Sequence, residues 1–219
     1  LAPAPFPVEV VLHKRYNPAG ITQYNIIPGL LGIIIAMTMT MITAVAITRE
    51  KERGTMENLL AMPIKPLEMM VGKIAPYVII GYVQTVVVLI AAEFAFKIPI
   101  VGSLILLFGA VTLYIIVNLM IGFLFSSIAE TQMQALQMTF FLLMPQILLS
   151  GFLFPFLGMP RWAQYIGEAL PATHFMRLMR GIMLKGSDGM DLMSSFWPLL
   201  VIMIVVGTVA MLRYNKTLD

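Results

Sequence analysis

ITREKERGTMENLLAMPIKPLEMMVGK, residues 47–73, holds nine of the chain's 25 charged side chains (14 Lys/Arg and 11 Asp/Glu), and an almost purely apolar run flanks it on each side. A hydrocarbon core about 30 Å thick is crossed by about 20 apolar residues in a helix. Working outward from the charged stretch, five runs meet that length: 26–47 before it, then 74–96, 104–125, 135–157 and 192–212 after it. All five are too continuous for strands and lack the period-two alternation of a membrane barrel. The predicted fold class is therefore all-α, a polytopic membrane helical bundle of five transmembrane helices whose backbones satisfy their own hydrogen bonds in lipid.

Composition agrees. Of 219 residues, 59% are hydrophobic and 11% charged, against about 25% charged in soluble domains. There is no cysteine, hence neither a disulfide framework nor a thiolate metal site. The net charge of +3 is spread over short loops, and no continuous basic stripe is present to neutralise the phosphates of a nucleic acid. Residues Leu1-Ala2-Pro3-Ala4-Pro5 have neither the basic nor the apolar region of a signal peptide, and the start reads as the continuation of a longer protein. Charge does not orient the bundle. Loops 48–73, 126–134 and 213–219 hold five, zero and two Lys/Arg, and the opposite set, 1–25, 97–103 and 158–191, holds two, one and four. The positive-inside rule returns a tie.

Periodicity adds detail. Gly29, Gly32, Ala36, Thr40 and Thr43 fall within about 80° of one another on a helix. Such a small-residue stripe admits another backbone closely, as ordinary helix packing, a subunit seam or the wall of a substrate path. In 158–191, Trp162, Tyr165, Ile166 and Ala169, then Phe175, Leu178, Met179, Ile182 and Met183, predict two short amphipathic helices. These lie at the interface or dip back into the bundle, a re-entrant hairpin before the last span. Inside the charged stretch, Met56, Leu59, Leu60 and Pro63 form one apolar face. Pro63 and Pro66 interrupt the chain, and Thr55 is placed to cap a helix. A plain turn needs only a handful of residues. This one presents mixed charge beside a compact apolar ridge, which suits either a groove on a soluble partner or a solvated interfacial helix.

The run REKERGTMENLLAMPIKPLEMMVGKIAPY resembles the first cytoplasmic loop and coupling helix of ABC-2-type permeases, the membrane subunits of ATP-binding-cassette exporters. Tyr16-Asn17-Pro18 and Ile27-Pro28-Gly29 resemble the entry from the family's extracytoplasmic domain into its second span. Pro145-Gln146, Leu149-Ser150-Gly151-Phe152, Phe154-Pro155 and Met159-Pro160 resemble its fifth span and outer end. Leu170-Pro171-Ala172-Thr173, Arg180-Gly181-Ile182 and Lys185-Gly186 resemble its re-entrant region. The likeness covers essentially the whole chain and is nearest the multidrug-exporter-like branch. It implies that 1–25 ends an extracytoplasmic domain and 26–219 is the permease domain, the C-terminal five-span portion of a six-span subunit. It also implies that 48–73 and the C-terminus are cytoplasmic. Two such subunits would pair, as a homodimer or with a close paralogue, and each would dock an ABC ATPase subunit. The coupling role would fall on Arg49, Glu50, Lys51, Glu52, Arg53, Gly54, Thr55, Met56, Glu57, Leu59, Leu60, Met62 and Pro63. The resemblance further suggests an extracytoplasmic adaptor and a bacterial inner-membrane location, and it leaves ATP and Mg to the partner ATPase.

Chemistry within the chain is not indicated. A phosphate-cradling loop needs G-x-x-x-x-G-K-[ST], but Gly72-Lys73 is followed by Ile74 and preceded by Leu67 where the first glycine belongs. His13 and His174 lack the spacing of a metal site. Ser150-Gly151 has no G-x-S-x-G frame. An ion-driven secondary transporter would carry ionisable residues deep in the membrane. The one candidate, Glu93, is placed to pair with Lys97 at i+4 near a span end. Uncharged polar residues do occur inside the runs. Tyr114, Asn118 and Gly122 share a face, as do Gln146 and Ser150, and Gln84 joins them. Thr40, Thr43, Asn118, Gln146 and Ser150 are the substrate-pathway candidates, although interhelical hydrogen bonding explains them equally well. The leading expectation is an exporter permease for hydrophobic or amphipathic solutes; a secondary transporter and a non-transporting membrane scaffold are the alternatives.

Overall fold

The computed structural model describes residues 23–54, 66–98 and 100–216. Within them the secondary structure is helical: α1 (Gln23–Glu52), α2 (Pro66–Phe94), α3 (Leu104–Ile128), α4 (Gln132–Leu149), α5 (Arg161–Glu168), α6 (Pro171–Arg180) and α7 (Gly189–Lys216), with a 3-10 turn at Phe156–Gly158 and a π turn at Gly181–Lys185. Among the described residues, four helices are long and apolar enough to cross a membrane: Ile26–Glu52, Val71–Phe94, Leu104–Ile128 and Gly189–Arg213.

The fourth predicted run, 135–157, departs from expectation. Its helix covers 18 residues and stops at Leu149 rather than continuing to 157. Gly151 lies in the left-handed region at φ 84°, a conformation that glycine reaches without a Cβ clash, and it turns the chain out of the helix. At about 1.5 Å per residue the helix is about 27 Å long, slightly under the hydrocarbon thickness. Gln132, Gln134, Gln137 and Gln146 also dilute its apolar character. Most other boundaries move outward, although α2 stops at Phe94, two residues short of the predicted 96, and α3 starts at the predicted Leu104. α1 runs on through the charged Arg49–Glu52 until Gly54, at φ 67°, breaks it. α2 begins at Pro66, in the first helical position, where a missing N–H costs nothing.

Contacts fix the arrangement. Tyr114 bonds Gly32 and Asn118 meets Thr40, and Lys51 reaches Ala129, so α1 and α3 run parallel. Lys73 pairs with Glu50, and Gln84 accepts from Thr38 at 2.8 Å, which sets α2 antiparallel to α1. α4 returns along α1, from Glu52–Gln132 at one end to Phe152 against Gly29 at the other. α7 follows α3, with Gly189 near Leu106 and Gly207 near Met120. The end of α1 at 52–54, the start of α2 at Pro66, the turn 128–132 and the end of α7 at 213–216 therefore gather at one side of the bundle, hereafter the charged end.

Lipid supplies little hydrophobic drive between helices, so close backbone approach and interhelical hydrogen bonds decide the packing. The small-residue stripe of α1 does this work inside the chain. A Cβ on Gly29 would strike Phe152, and one on Gly32 would strike Phe175. Lower on the same face, Gly122 of α3 lies against the Thr40 carbonyl and Thr43. Outward, α2 exposes Ile79, Val83, Val87 and Ile90, and α7 exposes Trp197, Ile204 and Val205. Continuous apolar surface of that extent faces lipid rather than water.

The two amphipathic helices form as predicted but face opposite ways. α6 is buried along nearly its whole length, with Phe175 stacked on Tyr114 at 4.0 Å between ring centroids and 9° between planes. It re-enters the bundle. α5 buries Ala163 and Gly167, whereas Trp162, Tyr165 and Ile166 point outward. Its small residues, not its aromatic face, make the protein contact, because Gly167 sits against the Leu149 carbonyl and the Phe156 ring. The Glu93–Lys97 pairing expected from i,i+4 spacing loses its basis, since α2 stops at Phe94. Lys97 turns to φ 51°, and both side chains are exposed.

Candidate functional site

At the charged end, the last turn of α1 holds three different helices through three consecutive residues. Glu50 pairs with Lys73 of α2. The Lys51 Nζ donates to the Ala129 carbonyl at the end of α3, at 3.3 Å. One Glu52 oxygen accepts the Gln132 backbone N–H at 2.7 Å, and the other accepts the Gln132 side-chain amide. Arg49 and Arg53 are exposed, and Arg49 borders a cavity of about 330 Å³ shared with Ile42 and Leu136. Gly54 ends the helix with no neighbour within 4 Å of where its Cβ would stand. The remaining coupling candidates, Thr55, Met56, Glu57, Leu59, Leu60, Met62 and Pro63, lie outside the described residues.

Inside the bundle, three of the pathway candidates come together. The Thr40 hydroxyl points at the Asn118 carbonyl and its Oδ1, at 3.3 and 3.4 Å. The Asn118 amide donates to the Tyr114 carbonyl at 2.8 Å, and the Tyr114 hydroxyl donates to the Gly32 carbonyl at 3.2 Å. Thr43 borders the same contact through Gly122. Gln146 and Ser150 sit one turn apart on α4, and no hydrogen bond links them to that cluster. Three oxygens in this set are buried without a hydrogen-bond partner among the described residues: Thr43 Oγ1, Gln146 Oε1 and Ser150 Oγ. An unsatisfied buried oxygen costs about 1–3 kcal/mol, so each is a place where a further hydrogen-bond donor would be gained.

The far end is held by side chains that sequence reasoning did not assign. The Arg180 Nη2 donates to the Gly151 carbonyl at 2.9 Å, which fixes the turn after α4 and completes the negative end of that helix. The same guanidinium lines a cavity of about 380 Å³ together with Ile26, Phe152 and Phe154. Arg177 forks onto Glu168 at 3.0 and 2.5 Å and covers the Phe156 ring at 4.6 Å. The Val101 N–H donates to the Met183 carbonyl at 3.2 Å, and Gly102 lies against the Ile182 carbonyl, so the α2–α3 loop is stitched to the exit of the re-entrant helix. Glycine at 102 and the cation at 180 were the available signals. Their partners are too distant in sequence to be paired by pattern.

His174 is 3% exposed at its side chain. Its Nε2 meets the Glu168 carbonyl at 2.8 Å, while Nδ1 is buried with no partner among the described residues. A neutral ring donating from Nε2 fits that arrangement. Burial lowers the His174 pKa, and the Glu168 carbonyl and carboxylate oppose the shift only in part. A base depressed in the folded state binds fewer protons there than in the unfolded chain. Its contribution is thus complete above the ordinary value of about 6.5 and is lost as pH falls through the lower folded value. Acidification from pH 7.5 to 5.5 is expected to lower the amide hydrogen-exchange protection factors of 167–180, once the slower intrinsic exchange at the lower pH is divided out. His174→Gln, which keeps a donor without the titration, should flatten that dependence.

Comparison with known proteins bears on the whole arrangement. Residues 1–212 match a family model described as ABC-2 family transporter protein. The chain is 33% identical over 214 residues to a protein of Escherichia coli K12 named "Probable multidrug ABC transporter permease YbhR", covering 98% of this chain and 58% of that protein. It is 30% identical over 213 residues to "Probable multidrug ABC transporter permease YbhS" of the same organism, covering 97% of this chain and 56% of that protein. It is also 31% identical over 222 residues to its "Inner membrane transport permease YhhJ", covering 96% and 57%. The chain thus spans somewhat over half the length of these relatives. With a match along nearly its full length and four helices able to cross a membrane, this integral membrane protein belongs to the ABC-2 family of transporters.

Proposed function

We propose that this chain is the membrane-spanning part of an ABC exporter permease that moves hydrophobic or amphipathic solutes outward, driven by ATP hydrolysis on a separate ATPase subunit. One observation carries the reading: in a chain of ABC-2 family sequence, the last turn of α1, the first part of the charged stretch, grips α2, α3 and α4. A force applied to 48–73 would reach those helices at once. In this reading α4 completes a set of five spans, 48–73 carries the coupling helix on the cytoplasmic side, and two copies or a close paralogue pair. The names of the bacterial relatives support a multidrug-type cargo and the inner membrane. An extracytoplasmic adaptor would join on the outer side. Thr40, Thr43, Asn118, Gln146 and Ser150 are the polar groups along the path, and the oxygens of Thr43, Gln146 and Ser150 that lack partners suit transient contact with solute, water or the second copy. α6, plugged against Gly32 by Phe175, serves as the gate on the outer side.

The full-length permease, reconstituted in proteoliposomes with its ATPase, should move a lipophilic dye when ATP is supplied and ion gradients are collapsed. Transport that follows an imposed proton or sodium gradient and ignores ATP would overturn the reading in favour of a secondary carrier.

A further inference from the structure

The turn between α3 and α4 exposes two sets of unpaired backbone groups, the last carbonyls of α3 and the first N–H groups of α4. Helix dipoles make the first site partly negative and the second partly positive. Consecutive residues of α1 meet both with the matching sign. Lys51 places its ammonium on the Ala129 carbonyl, the C-cap of α3. Glu52 places its carboxylate on the N–H of Gln132, the first residue of α4, and takes the Gln132 side-chain amide with its second oxygen. The α4 N-cap, Thr131, is already occupied with Gln134, so Glu52 does not duplicate the local cap. It adds a long-range one, delivered from another helix.

Resting on the permease reading above, we infer that Lys51 and Glu52 form a dipole-matched clamp that hands movement of the charged loop to the α3–α4 turn, and that Glu52 is a positioning residue rather than an ATPase-docking contact. The family resemblance would group these residues with the docking surface. Glu52 stays exposed, but both of its carboxylate oxygens are turned sideways onto Gln132 at the start of α4. Charge-assisted bonds of this kind are short and directional, and two of them on one carboxylate fix both the position and the rotation of the first turn of α4. The helix so held carries Gln146 and Ser150 at its other end.

The test uses the full-length permease with its ATPase in proteoliposomes, reading three quantities: ATPase co-purification, ATP hydrolysis and ATP-driven dye uptake. Glu52→Ala should keep co-purification within about twofold of wild type while dye moved per ATP falls at least about fivefold, the lower range of measured couplings between sites. Glu52→Cys combined with Gln132→Cys, in a full-length background with any cysteine outside these 219 cysteine-free residues replaced, should be uncoupled to the same degree, and a short thiol-to-thiol cross-linker should bring uptake back to within about twofold of wild type. A folding defect cannot produce that recovery. Uptake unchanged in Glu52→Ala, co-purification lost in step with uptake, or a cross-linked pair that stays uncoupled would each overturn the clamp. Wild-type uptake that ignores ATP in the same vesicles would instead remove the permease reading beneath it.

Discussion

Gly122→Leu is expected to separate α1 from α3 and to destabilise the bundle by about 2 kcal/mol or more, the range for forced overpacking. A Cβ at 122 would stand 2.5 Å from the Thr40 carbonyl oxygen, 2.8 Å from Thr43 Cβ and 3.2 Å from the Ala44 nitrogen. Two of those three atoms are backbone, so no rotamer change relieves the clash. The helices must move apart, and with them goes the Thr40–Asn118 contact. Gly122→Ala already introduces the offending atom and should cost a smaller share of the same penalty. Gly109 on the same helix is the control, because a Cβ there meets nothing within 4 Å. Gly109→Ala should be neutral or gain up to about 1 kcal/mol of helix propensity. Thermal unfolding of the purified protein in detergent, followed by size-exclusion chromatography, separates the cases. A Gly122→Leu protein that melts with wild type would mean that α1 and α3 do not touch here.

That contact also marks how far the sequence carries the fold. The stripe on α1 is visible as a period in small residues, and the presence of a close neighbour follows from it. Its occupants do not follow. Phe175, Met176 and Phe152 fill the half at Gly29 and Gly32, and nothing local to α1 encodes those distant pairings. Four of the five predicted runs were legible as helices long and apolar enough to cross a membrane, because length and apolarity are counted directly, but their ends were not. Hydropathy falls at Arg49, whereas helical hydrogen bonding continues until Gly54 adopts a positive φ. The reverse error occurs at the end of α4. Leu149 to Pro155 is uncharged and apolar but for Ser150, yet Gly151 turns the chain. Composition locates lipid and backbone conformation locates breaks, and the two coincide only where a charge and a glycine fall together. Among the site residues, Thr40, Thr43 and Asn118 were legible as polar groups in apolar runs. Glu52 was legible only as one of several charges, since its role depends on the N-terminus of a helix far along the chain.

The second large effect concerns coupling. Under the proposed function, Leu59→Asp should reduce ATP-driven uptake at least about 30-fold, the equivalent of the roughly 2 kcal/mol that separates a binding hot spot from an ordinary contact. Met56, Leu59, Leu60 and Pro63 share a face at helical spacing, with Leu59 at its centre, so a carboxylate there would have to be desolvated without a counter-charge whenever the ridge enters an apolar groove. The substitution lies past Gly54 in sequence and touches none of Glu50, Lys51 and Glu52, the α1 residues that bond α2, α3 and α4. The spans should therefore keep their wild-type melting temperature while ATPase co-purification and transport fall together. This pattern is opposite to that of Glu52→Ala, which keeps the ATPase bound and loses only the productive stroke. Comparing the two variants in one preparation separates a surface that is gripped from a joint that transmits the pull. Transport unaltered in Leu59→Asp would show that the apolar ridge is not what the ATPase holds.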